Sequence, residues 1–199
     1  RADDLQHRLS GEMHSSSEQE TLLEQDLDRM LLTCTFASWD LVLGRQAVAF
    51  GVAQSVNPTD LFAPVGFKPL DGEFRPGSDA LRLRGRLSDT SEMDFGMLAG
   101  FAENPGHNGA FVRVHLLLSE TDVTPLIATF GMNRLAGLSL QSTLGYWGLA
   151  FDGAWVISGE KKTVLPKDQQ ISWLPWTLGI NRQLTRNLFF SLEYHRNAM

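Results

Sequence analysis

Few residues in this chain have types and spacings that suggest chemistry. Five histidines (His7, His14, His107, His115 and His195) are dispersed without any paired ligand spacing, so no metal site is expected. The single Cys34 excludes a disulfide framework and a cysteine-rich metal centre. No serine sits in a nucleophile motif, and a hydrolase or acyltransferase would need a serine or carboxylate brought to His115 or His195 by the fold. Asn57-Pro58-Thr59 is no glycosylation signal, because proline holds the middle position. The expectation is a protein that is not an enzyme and carries no cofactor.

The charged residues are patterned instead. Arg82, Arg84 and Arg86 alternate with Leu81, Leu83 and Leu87; after a turn at Ser88–Ser91, Glu92 and Asp94 alternate with Met93, Phe95 and Met97. Two strands folded as an antiparallel hairpin place Arg86 opposite Glu92, Arg84 opposite Asp94, Leu83 opposite Phe95 and Leu81 opposite Met97. Such a row lines a path for anionic solutes, or serves as a neutralised ladder that fixes register. Arg113, His115, Asp152 and Glu193 lie on the polar faces of later strands and join the same inventory of solute-contact candidates.

The elements that must position these residues are strands. Period-two alternation marks Asp28–Phe36 (Met30, Leu32, Cys34 and Phe36 on one face), Leu41–Phe50, Ala110–Leu118, Thr124–Met132, Gly137–Leu144 and Trp147–Ser158. It continues in a final pair around Leu184–Arg186, with Ile180 set opposite Leu188. Ala2–Met13 is a weaker candidate, and Ser17-x-x-Glu20 has the form of a helix capping box. Ser55–Ser78 carries four prolines and three glycines and reads as a long ordered loop, and Glu160–Gln170 as a polar one. The count is ten to eleven strands in an antiparallel up-and-down meander.

Composition bounds the class. At 199 residues, 43% hydrophobic and net charge −6, the chain is neither disordered nor basic, so nucleic acid is not an expected partner. No apolar run approaches the roughly 18 residues of a spanning helix. Strands of about ten residues with an unbroken apolar face match a tilted bilayer crossing, and short turns alternate with longer loops. Trp39, Tyr146, Trp147, Trp173 and Tyr194 fall near strand ends, where an aromatic girdle would lie.

A resemblance adds to this. Gly44-Arg45-Gln46 in a strand, the loop Asn57-Pro58-Thr59-Asp60-Leu61-Phe62, then Arg75-Pro76-Gly77-x-Asp79 before the next strand, is similar to a group of porin-like outer-membrane barrels of Gram-negative bacteria. The ending Phe190-x-Leu192-Glu193-Tyr194 resembles the same group, and Phe50 departs from it where tryptophan is more usual. The resemblance implies a transmembrane β-barrel in the bacterial outer membrane, in contact with its lipids, and carries no substrate. Arg45, Asn57 and Asp60 are expected to anchor the loop, with Arg45 binding that loop or a neighbouring carboxylate.

The resulting expectation is one β-barrel domain over residues 1–199, or part of one, with the 55–78 loop inside it and small solutes passing or binding in a polar lumen. The alternative is a soluble or surface-associated β-barrel or sandwich with the Leu81/Leu83/Phe95/Met97 face inward; an outer-membrane hydrolase or acyltransferase is the third reading. The chain begins without Met and stops just after a strand, so it reads as an internal piece whose first and last strands do not pair with each other.

Overall fold

The computed structural model describes residues 11–13, 23–25, 29–60, 77–99, 108–159 and 171–197. It is all-β. A short ribbon joins β1 (Gly11–Met13) to β2 (Leu23–Gln25). The remaining strands form one eleven-stranded antiparallel sheet. They are β3 (Met30–Phe36), β4 (Trp39–Gln46), β5 (Ser78–Ser88), β6 (Ser91–Leu98), β7 (Gly109–Leu118), β8 (Thr121–Phe130) and β9 (Asn133–Leu144). After them come β10 (Trp147–Ser158), β11 (Ile171–Trp173), β12 (Trp176–Thr185) and β13 (Leu188–Arg196). Each strand pairs with its neighbour in the chain, except that β11 and β12 both pair with β10. Val156 faces Trp173 and Gly153 faces Trp176 in one continuous register. The two strands are therefore one line interrupted at Leu174-Pro175, where Ala154 N–H still donates to the Pro175 carbonyl at 3.1 Å.

The β5–β6 register is the expected one, with Leu81 on Met97, Leu83 on Phe95, Arg84 on Asp94 and Arg86 on Glu92. The last hairpin differs. β12 runs on to Thr185, the turn is Arg186-Asn187, and Ile180 faces Leu192 rather than Leu188. The shift is an even number of residues, so apolar still meets apolar and the alternation cannot detect the error. β4 is also shorter than the apolar run from Leu41 to Phe50: it ends at Gln46, and residues 47–60 leave the sheet. The weak Ala2–Met13 strand survives only as Gly11–Met13 within the described residues, and the Ser17–Glu20 capping box and the 160–170 loop lie outside them.

Turns sort by length between the two ends. Ala37-Ser38, Asp89-Thr90, Ser119-Glu120, Gly145-Tyr146 and Arg186-Asn187 are tight and share one end, the turn end. The longer connections after β4, β6 and β10 lie at the other, the loop end, with one tight turn at Gly131-Met132.

The two faces have opposite chemistry. Leu43, Leu81, Met97, Val112, Ile127, Leu138, Trp155, Leu178 and Leu192 form an exposed apolar belt on one face; Met97 is 64% and Ile127 68% accessible. Each such side chain left in water forgoes about 1.5–3 kcal/mol of burial, and a continuous patch of this kind marks a surface with an apolar partner. Leu81 and Met97 thus point outward, so that face is not the core of the sheet. Charged residues on the belt side are confined to strand ends, as with Arg134, Arg182 and Arg196. Arg182 stacks on Trp147 at 5.0 Å and Tyr146 at 5.6 Å, and Trp147 meets Phe190 edge-on at 6.2 Å. Trp176 and Tyr194 sit 5.5 Å apart toward the loop end. Trp173 is not in either aromatic group: its place in the β10 register turns it to the opposite face, where it packs on the core.

Candidate functional site: the inner wall and the inward segment

The opposite face is covered by the chain itself. Gly44, at φ +122°, takes a conformation that side chains rarely adopt. β4 stays paired with β5 for two residues more, to Gln46, and then the chain leaves the sheet. Gln46 Nε2 donates to the Ala80 carbonyl at 3.2 Å, and Arg45 is 3% exposed at the root of the departing segment. Residues 47–60 are braced internally. Asp60 Oδ1 accepts from Phe50 N at 2.5 Å and Gly51 N at 3.0 Å. Asn57 exchanges bonds with Ala53, accepting at 2.7 Å and donating at 2.9 Å. Asn57 and Asp60 lie in this segment and Arg45 at its root, while residues 61–76 of the expected 55–78 loop lie outside the described residues.

The segment is then tied to the far strands. Asp152, on β10, accepts from Thr59 N at 3.0 Å, Thr59 Oγ1 at 2.8 Å and Ser139 Oγ at 2.7 Å. Thr177 Oγ1 on β12 donates to the Val56 carbonyl at 2.7 Å. Glu193 on β13 accepts from Gln54 N at 2.6 Å, Ser55 N at 2.8 Å and the Ser55 hydroxyl. Ser191 Oγ donates to Gln54 Oε1 at 3.0 Å. Eight inter-strand steps across a flat sheet from β4 to β13 would measure about 38 Å. The extended chain from Gln46 to Gln54 reaches at most about 28 Å. The wall therefore curves around the segment, which crosses its concave side.

That crossing divides the inner face. Toward the loop end, Val48 and Phe50 of the segment pack with Ala80, Leu98, Phe111, Leu126, Phe130 and Val156 as a dry core. Phe111 lies over Gly96, where a Cβ would collide with the ring. Toward the turn end the inner face is polar, with Arg84, Arg86 and Glu92 exposed beside Asp40 and Thr35 around a hollow of about 560 Å³.

Between the two zones lies a compact charged group. Asp94, only 3% exposed, accepts from Arg82 Nε at 3.3 Å, from Arg82 Nη2 and from Arg113 Nη2 at 3.2 Å. Two guanidiniums share one carboxylate, which leaves a positive excess facing the interior. Each guanidinium also covers a ring, Arg82 over Phe111 and Arg113 over Phe50, both at 5.7 Å, and the two rings meet edge-on at 4.6 Å. Asp94 therefore binds Arg82 diagonally instead of its direct neighbour Arg84: Arg82 is buried over Phe111 and donates to the Ala47 carbonyl of the segment at 3.4 Å, and Arg84 lies in the open.

The expected solute contacts thus separate, with Arg82 and Asp94 buried in the charged group. Arg84, Arg86, Glu92, Arg113 and His115 keep surface on the polar side. Asp152 is wholly buried and Glu193 is occupied by the segment, so both are anchors and not open wall. His115 Nε2 lies 3.0 Å from Asp122 Oδ1, an imidazole–carboxylate pair that no hydroxyl or thiol joins among the described residues. Thr177 Oγ1 lies 2.9 Å from His195 Nδ1, but it donates its proton to the Val56 carbonyl and so accepts from the ring. No group of three metal-binding side chains occurs among the described residues. Thr59, Ser139, Thr177 and Phe111 were not expected to serve a site, and Phe50 was marked only as a departure from the resemblance; Phe111 carried one signal, an aromatic on the same face as Arg113 and His115.

No family model matches the chain, and no curated protein matches it. Among solved structures it is similar to that of Pseudomonas aeruginosa OccK11 (OpdR), with a TM-score of 0.57 and 11% identity. The match covers 89% of this chain and 49% of that one, so the chain spans about half the length of its structural neighbour. At this identity the likeness speaks to the fold alone: an antiparallel β-barrel wall.

Proposed function

We propose that the chain is the wall and inward segment of an outer-membrane, porin-like barrel that admits small solutes through a polar lumen. The observation that carries this is the reversal of faces. The convex belt is apolar across the sheet, while Arg82, Arg84, Arg86, Glu92, Asp94, Arg113 and His115 are turned inward. In a bilayer that arrangement costs nothing on the outside and leaves a wet, charged interior. The inward segment sets the bore, because its anchors hold it against the strands on the far side of the curve. Among the described residues β3 and β13 do not pair with each other. Open strand edges are costly in lipid, so further strands complete the wall.

The test is reconstitution of the protein in planar bilayers with conductance recorded at graded salt. Discrete ohmic steps are expected, rising when Thr59 and Ser55 are both replaced by alanine. Recovery of the full-length protein from the periplasm as a soluble species without detergent would overturn the proposal.

A further inference from the structure

Hollows interrupt the convex belt: one beside Leu43, Leu81 and Met97 is bordered by Asp79, and another is centred on β10. At Gly153 of β10 no side chain fills the wall, and its partners across the strands are Leu138 and Trp176. Around it stand Leu138, Phe151, Trp155, Trp176 and Leu178, enclosing about 550 Å³ with almost no polar surface. The interruption of the neighbouring line at Leu174-Pro175 widens it on one side, with Leu174 at its rim.

A second hollow on β10, of about 540 Å³, lies further toward the loop end, lined by Thr129, Asn133, Arg134, Ile157 and Gly159 among others. The two follow one another along the same strands. Arg134, Ala136 and Leu138 are successive outward residues of β9, and Ile157, Trp155 and Gly153 are those of β10. Their chemistry differs: the first is apolar, and the second is polar and contains Arg134. Among the described residues no acidic side chain lines either one. The Arg134 side chain makes no hydrogen bond or ion pair with a described residue, and Asn133 Oδ1 is buried there without a partner among them. In a chain of net charge −6, an unpaired arginine above an apolar recess is a local inversion of sign.

We infer that the two hollows together form a binding site for an anionic membrane lipid, with one acyl chain in the Gly153 recess and the headgroup phosphate at Arg134. This rests on the membrane-spanning reading above. The convex face meets acyl chains everywhere, and here an apolar recess lies below an arginine whose side chain bonds no described residue, whereas the Leu43/Leu81/Met97 hollow carries Asp79. Arg182, at the opposite end, is already stacked on Trp147 and Tyr146, with no such recess beneath it.

The experiment is native mass spectrometry of the full chain released from detergent micelles doped with phosphatidylglycerol or phosphatidylethanolamine of identical acyl chains. One phosphatidylglycerol should be retained about fivefold over phosphatidylethanolamine, the factor that one arginine contributes toward an anionic lipid surface. Arg134→Gln should abolish that preference, and Ala136→Trp, on an exposed outward position, should lower retention of both lipids by filling the recess. Arg182→Gln should leave the preference intact. Equal retention of the two lipids, or a preference that survives Arg134→Gln, overturns the lipid site while the barrel stands. A self-associated species that excludes lipid and is lost in Ala136→Trp also overturns it, in favour of a second copy. A protein that shows no heat-modifiable β-structure in micelles overturns the barrel reading together with the site.

Discussion

Thr59 places its backbone N–H and its hydroxyl on the two carboxylate oxygens of Asp152, at 3.0 and 2.8 Å, across the concave side of the wall. The side chain of Asp152 has no access to solvent, so these bonds and that from Ser139 Oγ at 2.7 Å are what satisfy it. Removing one donor from a buried acceptor costs about 1–3 kcal/mol. Thr59→Val keeps the shape and the N–H but loses the hydroxyl. It is expected to destabilise the protein by about 1–2 kcal/mol in urea titrations from vesicles, and to make single-channel current noisier as the segment detaches.

Asp94 carries more than one partner. Its loss leaves the buried Arg82 and the half-buried Arg113 beside each other without their shared carboxylate. Asp94→Asn should therefore cost about 3–5 kcal/mol, the penalty for breaking a buried ion pair from one side. Combining it with Arg82→Gln should recover part of that loss, since the two positions are in direct contact. An additive double variant would show that the group is not coupled as its geometry requires.

The belt gives a test of environment. Ile127, 68% exposed near the middle of β8, and Leu144, 71% exposed at the turn end of β9, would behave alike on a soluble surface. In a bilayer their depths differ. Ile127→Arg is expected to lower folding stability in lipid vesicles by about 2–4 kcal/mol, and Leu144→Arg by no more than about 1 kcal/mol. Equal effects of both substitutions would place the convex face in water.

Arg84 and Arg86 keep exposed side chains on the inner face, beside Glu92. The double variant Arg84→Gln/Arg86→Gln should shift the reversal potential in a salt gradient toward cation preference, with Glu92→Gln moving it the opposite way. Unchanged reversal potentials in both would mean that permeating ions do not pass this wall.

What the sequence determines by itself is local and periodic. The β5–β6 hairpin follows from residues that alternate strictly around a short turn, so Leu83 on Phe95 and Arg84 on Asp94 need no further information. The division of faces follows for the same reason along β7, β9 and β10. Period two is blind to an even slip, and this is why Ile180 could be set against Leu188 when the chain places it on Leu192. It is equally blind to where a strand leaves its sheet. Val48 and Phe50 continue the apolar run of β4, and only the surroundings decide that they belong to a core on the inner side. Once there, they change the role of charges far away in the chain. Arg82 is buried and paired diagonally, Asp152 becomes the seat of Thr59, and Glu193 holds Gln54 and Ser55. Those roles depend on a chain segment crossing a curved wall, and the residues it joins are separated by 93 to 139 positions. No spacing within the sequence encodes such a contact, because its energy comes from bonds made only after the wall has closed around the segment.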